Sequence, residues 1–253
     1  MNNHRVIAVC GKGGVGKTAF TTLLTKVMIE DPQAGKLLVV DADPALGLHY
    51  ALGRKEIKTI GTVRDEILRV AEEGDRQAQE ELADKVDYLT ARVLDEGKDF
   101  SFLAMGHMES KGCFCSVNDL LQQAISYLTD EFNTVLIDGE AGIEQINRRV
   151  LEKVTHLLLV SDQSRKGIQV VGTIKQVADE LVMYDRIGAV INRVTNPELN
   201  KFITIPGVEI LSYIESDDYH AANDIQGKTV YDLPPESSVY RGTKEVLEKF
   251  GIL

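Results

Sequence analysis

The 253-residue sequence predicts an α/β fold, a mostly parallel central sheet with helices on both faces, and three observations carry that expectation. Short β-branched apolar runs of strand length recur at 6–10, 37–40, 134–137, 156–160, 187–191 and 208–211. Longer stretches with helical spacing lie between or after them, at 17–30, 144–153, 166–183 and 238–250. The first apolar run passes directly into a glycine-rich loop and then into the first helical stretch. Strand alternating with helix implies right-handed βαβ units, and sheets of that kind hold ligands at the carboxyl ends of their strands.

In chain order, the first strand ends on Cys10, read as core packing, and is followed by GKGGVGKT at 11–18. That loop matches G-x-x-x-x-G-K-[ST], the pattern of a P-loop NTPase. Gly11, Gly13, Gly14 and Gly16 let the amides of the loop, those of Lys12 and Val15 included, turn inward around β- and γ-phosphates. The helix that begins with Lys17, Thr18 and Ala19 adds its positive N-terminal end. Lys17 is expected to contact the phosphates and Thr18 to coordinate Mg²⁺.

The second strand runs into Asp41 and Asp43 in the segment LLVVDADPALG, where Asp and Pro also favour a turn. Residues 61–87 are strongly charged, yet Ile67, Leu68, Val70, Leu82 and Val86 leave a thin apolar stripe, which predicts a helical insertion. Farther on, TVLIDGEAGIEQ ends an apolar strand on Asp138, the arrangement of a Walker B carboxylate that holds Mg²⁺. The strand AVINRV closes on Asn192 and Arg193. In the last stretch Val246, Leu247 and Phe250 share one face, but it is short and its charges are mixed rather than basic, so it reads as a helix closing on the sheet, not a membrane anchor.

Composition narrows the class. With 43% hydrophobic and 26% charged residues, no repeat and no linker-like tract, the simplest organisation is one domain over 1–253. A net charge of -11 disfavours a grip on nucleic acid or on an anionic membrane. Three cysteines form no disulfide framework, the N-terminus has no signal pattern, and no apolar run reaches the roughly 20 residues of a spanning helix. A soluble cytoplasmic protein is expected.

With Lys12 before its paired glycines, KGGVGKT resembles the deviant Walker A signature of the MinD/ParA/NifH/ArsA group of dimeric P-loop ATPases. The resemblance implies that Lys12 reaches across a two-fold homodimer to the partner's nucleotide. There it would stabilise transferring phosphate charge as an arginine finger does. It also implies that Asp43 orients the attacking water, that Asp41 supports it near the metal, and that Asn192, beside Arg193, recognises adenine. Many relatives follow the Walker B aspartate with two prolines and a glycine, whereas this chain has Gly139, Glu140, Ala141 and Gly142.

A C-x-C pair, Cys113 and Cys115, lies within a segment at about 107–116, between those two carboxylate regions. If the segment is extended, side chains at i and i+2 point the same way and the two thiolates converge on one ion. Two thiolates are half a site for Zn²⁺ or Ni²⁺, and a two-fold dimer would supply four. Small buried hydrophobes remain the other reading of the pair, and His107 stands as an additional candidate ligand.

Together with DGEAGIE at 138–144, the C-x-C pair is similar to the CooC-type ATPases, maturation factors that insert nickel into carbon monoxide dehydrogenase or acetyl-CoA synthase. That resemblance implies ATP, Mg²⁺ and Ni²⁺ or Zn²⁺ as ligands, and a client nickel enzyme as partner. A redox ATPase with a dimer-bridging iron–sulfur cluster is the first alternative, since four shared thiolates also fit that cargo. A partitioning or positioning ATPase is the second.

Overall fold

The computed structural model describes residues 4–31, 34–55, 57–72, 86–107, 115–139, 153–181 and 183–253. Its strands are β1 (Arg5–Gly11), β2 (Leu37–Asp41), β3 (Asp95–Glu96), β4 (Ser101–Ala104), β5 (Thr134–Asp138), β6 (Lys153–Ser161), β7 (Met183–Val194) and β8 (Glu209–Glu215). The described helices are α1 (Lys17–Glu30), α2 (Leu48–Ala51), α3 (Ile60–Glu72), α4 (Val86–Ala91), α5 (Cys115–Asp130), α6 (Arg165–Leu181), α7 (Asp218–Ile225) and α8 (Ser238–Lys249). The strands form one sheet in the order β3-β4-β2-β5-β1-β6-β7-β8. Each neighbouring pair is parallel except β3 with β4.

Helices cover both faces, as predicted, and β1 shows how one strand serves two cores. Val6, Ala8 and Cys10 point into a core with α3, α4, α5 and α6, while Ile7 and Val9 point into another with α1, α2 and α8. A strand buried on both sides must read as a continuous apolar run, which is what 6–10 is. Each fully buried Ile, Leu or Phe removes apolar surface worth about 1.5–3 kcal/mol from water.

α1 is buried over much of its surface although it carries four threonines. Thr21, Thr22 and Thr25 satisfy their hydroxyls by donating to the carbonyls of Lys17, Thr18 and Thr21, one turn back. α8 closes the molecule against β8 and α1, with Val246, Leu247 and Phe250 all buried. Arg5 donates to Ile252 O at 2.7 Å and Arg186 to Phe250 O and Lys249 O, which occupies carbonyls that the helix end leaves free.

Several expectations are refined. α3 and α4 fall in the predicted helical insertion, but Ile60, Val63, Ile67, Leu68 and Val86 join a main core, so these helices are structural rather than a solvated appendage. Residues 73–85, Leu82 among them, lie outside the described residues, as do 144–152 of the predicted 144–153 helix. Lys153 opens a strand instead. β4 and α5 were not anticipated.

Candidate functional site

The carboxyl ends of the strands meet at the loop 11–18. Gly11 sits at φ +152, and a side chain there would collide with the Val160 carbonyl of β6. Gly16 at φ +89 turns the chain in the left-handed region and becomes the N-cap of α1, with the Asn192 amide 3.0 Å from where a Cβ would stand. Lys17 Nζ lies 3.4 Å from the Lys12 carbonyl, folded over the loop.

Two side chains from the end of β7 brace the same loop. Asn192 donates from Nδ2 to Val15 O at 2.8 Å, and Arg193 donates from Nη1 to Gly14 O at 2.9 Å. Arg193 adopts φ +56, a left-handed conformation unusual for a residue with a side chain, and from it the guanidinium reaches the loop. Beside them opens a cavity of about 260 Å³ lined by Gly16, Ala19, Phe20, Asn192, Arg193 and residues 215–217, 220, 221 and 239.

Strand register sets the acidic side of the site. Asp41 and Asp138 are direct partners across β2 and β5. Both are buried. Burial first, then the Asp138 charge, raises Asp41 to about 7, against hydrogen bonds from the Leu48 and Asp43 amides. Burial likewise raises Asp138 to about 6, opposed by hydrogen bonds from Thr18 and Thr21 and by the Lys17 charge. Thr21 Oγ1 lies 3.0 Å from Asp138 Oδ1, so its one hydroxyl proton is shared between that carboxyl and the Lys17 carbonyl. Asp43, half-buried, accepts from Ala45 N at 2.9 Å, and its amide donates to Asp41 Oδ1 at 3.1 Å. The turn anticipated from Asp-Ala-Asp-Pro is present, and it ties Asp43 to Asp41.

Lys17, Thr18, Asp41, Asp43, Asp138, Asn192 and Arg193 therefore converge on one loop, from segments as distant as residues 17 and 193. Lys12 lies at its rim, with Nζ 2.7 Å from Oδ2 of Asp162. Asp162 was missed in the sequence, as were Glu215, Asp217 and His220 of the cavity. Asp162 and Asp217 are marked only by their position just past a strand, Glu215 only by ending one, and His220, inside α7, by nothing local.

The metal pair is not assembled among the described residues. Cys113 lies outside them, and Cys115 is the first residue of α5. The relative geometry of the two thiols therefore lies outside the described residues. His107 is exposed at the end of the segment that follows β4. Among the described residues no three His, Cys, Asp or Glu side chains are grouped to hold a metal ion. No described helix is long and apolar enough to cross a membrane.

A parallel sheet with a glycine-rich loop between its first strand and first helix, faced by buried strand-end carboxylates, defines a P-loop ATPase. Within that class the chain belongs to the family described as AAA domain, whose model matches residues 4–185. An uncharacterized ATP-binding protein of Methanocaldococcus jannaschii is 36% identical over 252 residues, spanning 96% of this chain and 97% of the relative. The carbon monoxide dehydrogenase accessory protein CooC of Rhodospirillum rubrum is 28% identical over 243 residues, 90% of either chain. The fold is that of the septum site-determining protein MinD complexed with Mg-ADP from Pyrococcus horikoshii, with a TM-score of 0.68 at 19% identity, covering 98% of this chain and 96% of that one.

Proposed function

We propose that this chain is an ATP-hydrolysing metallochaperone that dimerises on nucleotide or metal binding and helps insert nickel into a client metalloenzyme of the carbon monoxide dehydrogenase type. The observation that carries the reading is the likeness to the accessory protein CooC, which extends over 90% of both chains and so is not confined to the phosphate loop. In this reading the amides of 11–18 and Lys17 hold the phosphates of ATP, and the base occupies the cavity beside Asn192 and Arg193. Thr18 and Asp138 would hold Mg²⁺, which would polarise the phosphates toward attack. The donor set fits, because the Asp138 carboxyl is buried at its strand end within hydrogen-bond reach of Thr18 and in register with the buried Asp41, and a divalent cation there would offset the burial of both carboxyls.

Asp43 positions the attacking water, and Asp41 fixes Asp43 through the hydrogen bond to its amide. Lys12 acts in trans on the partner's nucleotide, supplying positive charge where the transferring phosphoryl group spreads its negative charge. Cys113 and Cys115 of two chains bring four thiolates to one Ni²⁺ or Zn²⁺ on the two-fold axis. Nucleotide closure and metal binding then favour the same dimer, so each strengthens the other.

Two measurements test this. Anaerobic metal and labile-sulfide analysis, run with sizing in the presence and absence of nucleotide, should find one nickel or zinc per dimer and no sulfide; iron with stoichiometric sulfide would replace the chaperone by a redox ATPase. Lys12→Ala should lower turnover by about 10³-fold or more while leaving nucleotide binding largely intact. Unchanged turnover would remove the trans role of Lys12.

A further inference from the structure

In the single chain Lys12 is already engaged. Its Nζ lies 2.7 Å from Asp162 Oδ2 and 3.4 Å from Ser164 Oγ, in an ion pair whose side chains are only 25% and 29% exposed. Asp162 is itself held by its turn. Its Oδ1 accepts from Ser164 N at 3.1 Å and from Ser164 Oγ, and Ser164 Oγ accepts from Gly167 N at 3.0 Å. Burial alone would raise the Asp162 carboxyl, but hydrogen bonds from Lys12 and Ser164 overcome it and hold the group below its ordinary range. The carboxylate is thus built to stay charged and to face Lys12.

The next residue extends the clasp. Gln163 accepts at Oε1 from the amides of Thr195 and Asn196, and donates from Nε2 to Asn196 O and Asn200 Oδ1, both at 2.8 Å. This joins the turn after β6, which holds Lys12, to the loop that leaves β7, the strand whose last residues hold Val15 and Gly14 through Asn192 and Arg193.

An ammonium seated 2.7 Å from its own chain's carboxylate has less of its charge, and fewer of its three N–H donors, left for phosphates bound by another chain. Resting on the reading that Lys12 acts in trans, we infer that Asp162 is a cis latch, which retains Lys12 on its own chain until a second copy closes over the nucleotide. Each dimer must open two latches, so their cost enters the dimerisation constant twice. A partly exposed ion pair shifts an equilibrium by about two- to fivefold, and two of them by about four- to twenty-five-fold.

The test is sedimentation velocity over a range of protein concentrations with Mg²⁺ and a non-hydrolysable ATP analogue. Asp162→Asn should form dimers at about four- to twenty-five-fold lower protein concentration than the unaltered chain. A folded Asp162→Asn protein that dimerises at the same or higher concentration overturns the latch. Carbon-13 carboxyl titration of Asp162 in the unaltered protein gives a second readout that needs no variant. The group should titrate below the ordinary carboxylate range in the nucleotide-free chain and move up toward it in the analogue-bound dimer; an unmoved titration also overturns the latch. Lys12→Ala separates the two levels: normal turnover there removes the trans reading itself, whereas lost turnover with an unshifted Asp162→Asn removes only the latch.

Discussion

Asp41 and Asp138 show how much a single pair of side chains can be asked to do. In the metal-free chain the folded state keeps a proton on Asp41 up to about pH 7, whereas an unfolded aspartate loses it near 3.8. The stability linked to that proton is full below about pH 4 and is lost as pH rises through about 7. Asp41→Asn, which has no charge to bury, should therefore gain stability over the unaltered chain across that window, by about 1–3 kcal/mol at pH 8 without Mg²⁺. Urea unfolding of both proteins from pH 4 to 8 measures it, and a pH-independent difference would refute the burial argument. Asp41 and Asp138 were legible in the sequence because each ends an apolar run. Asp162 was not, since one acid past a strand among 39 acidic residues has nothing local to mark it.

For the elements, legibility followed the length and purity of the apolar pattern. α1 was located at 17–30 to the residue, because a glycine loop starts it and a polar stretch stops it. β4 was overlooked although Ser101–Ala104 is fully buried, since its four residues are too few for a periodic signal. α5 was legible in principle, since Val117, Leu120, Leu121, Ala124, Ile125 and Leu128 recur at helical spacing over Cys115–Asp130. Asp217 illustrates a contact that no periodicity reveals. It accepts from His220 N, Ser237 Oγ, Ser238 N and Ser238 Oγ, fastening the cavity loop to the first turn of α8. Burial would raise its carboxyl, but these donors hold it at about 2, so its stabilising contribution is present above pH 4 and lost as pH falls toward 2. Asp217→Asn should cost about 1–2 kcal/mol at pH 7 in urea unfolding and weaken ATP-analogue binding, because the same loop lines the cavity. Unaltered affinity would detach Asp217 from the nucleotide site.

At the scale of the assembled molecule, the proposed chemistry depends on two chains meeting. Replacing both Cys113 and Cys115 by alanine should abolish metal-induced dimerisation while leaving ATP-analogue-induced dimerisation in place, as read by sizing with Ni²⁺ or with the analogue. A double variant that still takes up one tightly bound ion per dimer would refute the shared thiolate site. The closing helix bears on the same scale: with Val246 and Leu247 at 0% exposure it is part of the core, so its apolar face is not free to anchor elsewhere.

The order of residues alone was enough for the α/β class, the phosphate loop and the strand-end carboxylates, because these are local patterns whose physics acts over a few neighbours. The folded chain decided which of them meet. It set Asp41 in register with Asp138, brought Asn192 and Arg193 onto the carbonyls of the phosphate loop, and paired Lys12 with an aspartate 150 residues away. Such pairings depend on how buried strands stack and slide into register, and that is a property of the packed core rather than of any short stretch of sequence.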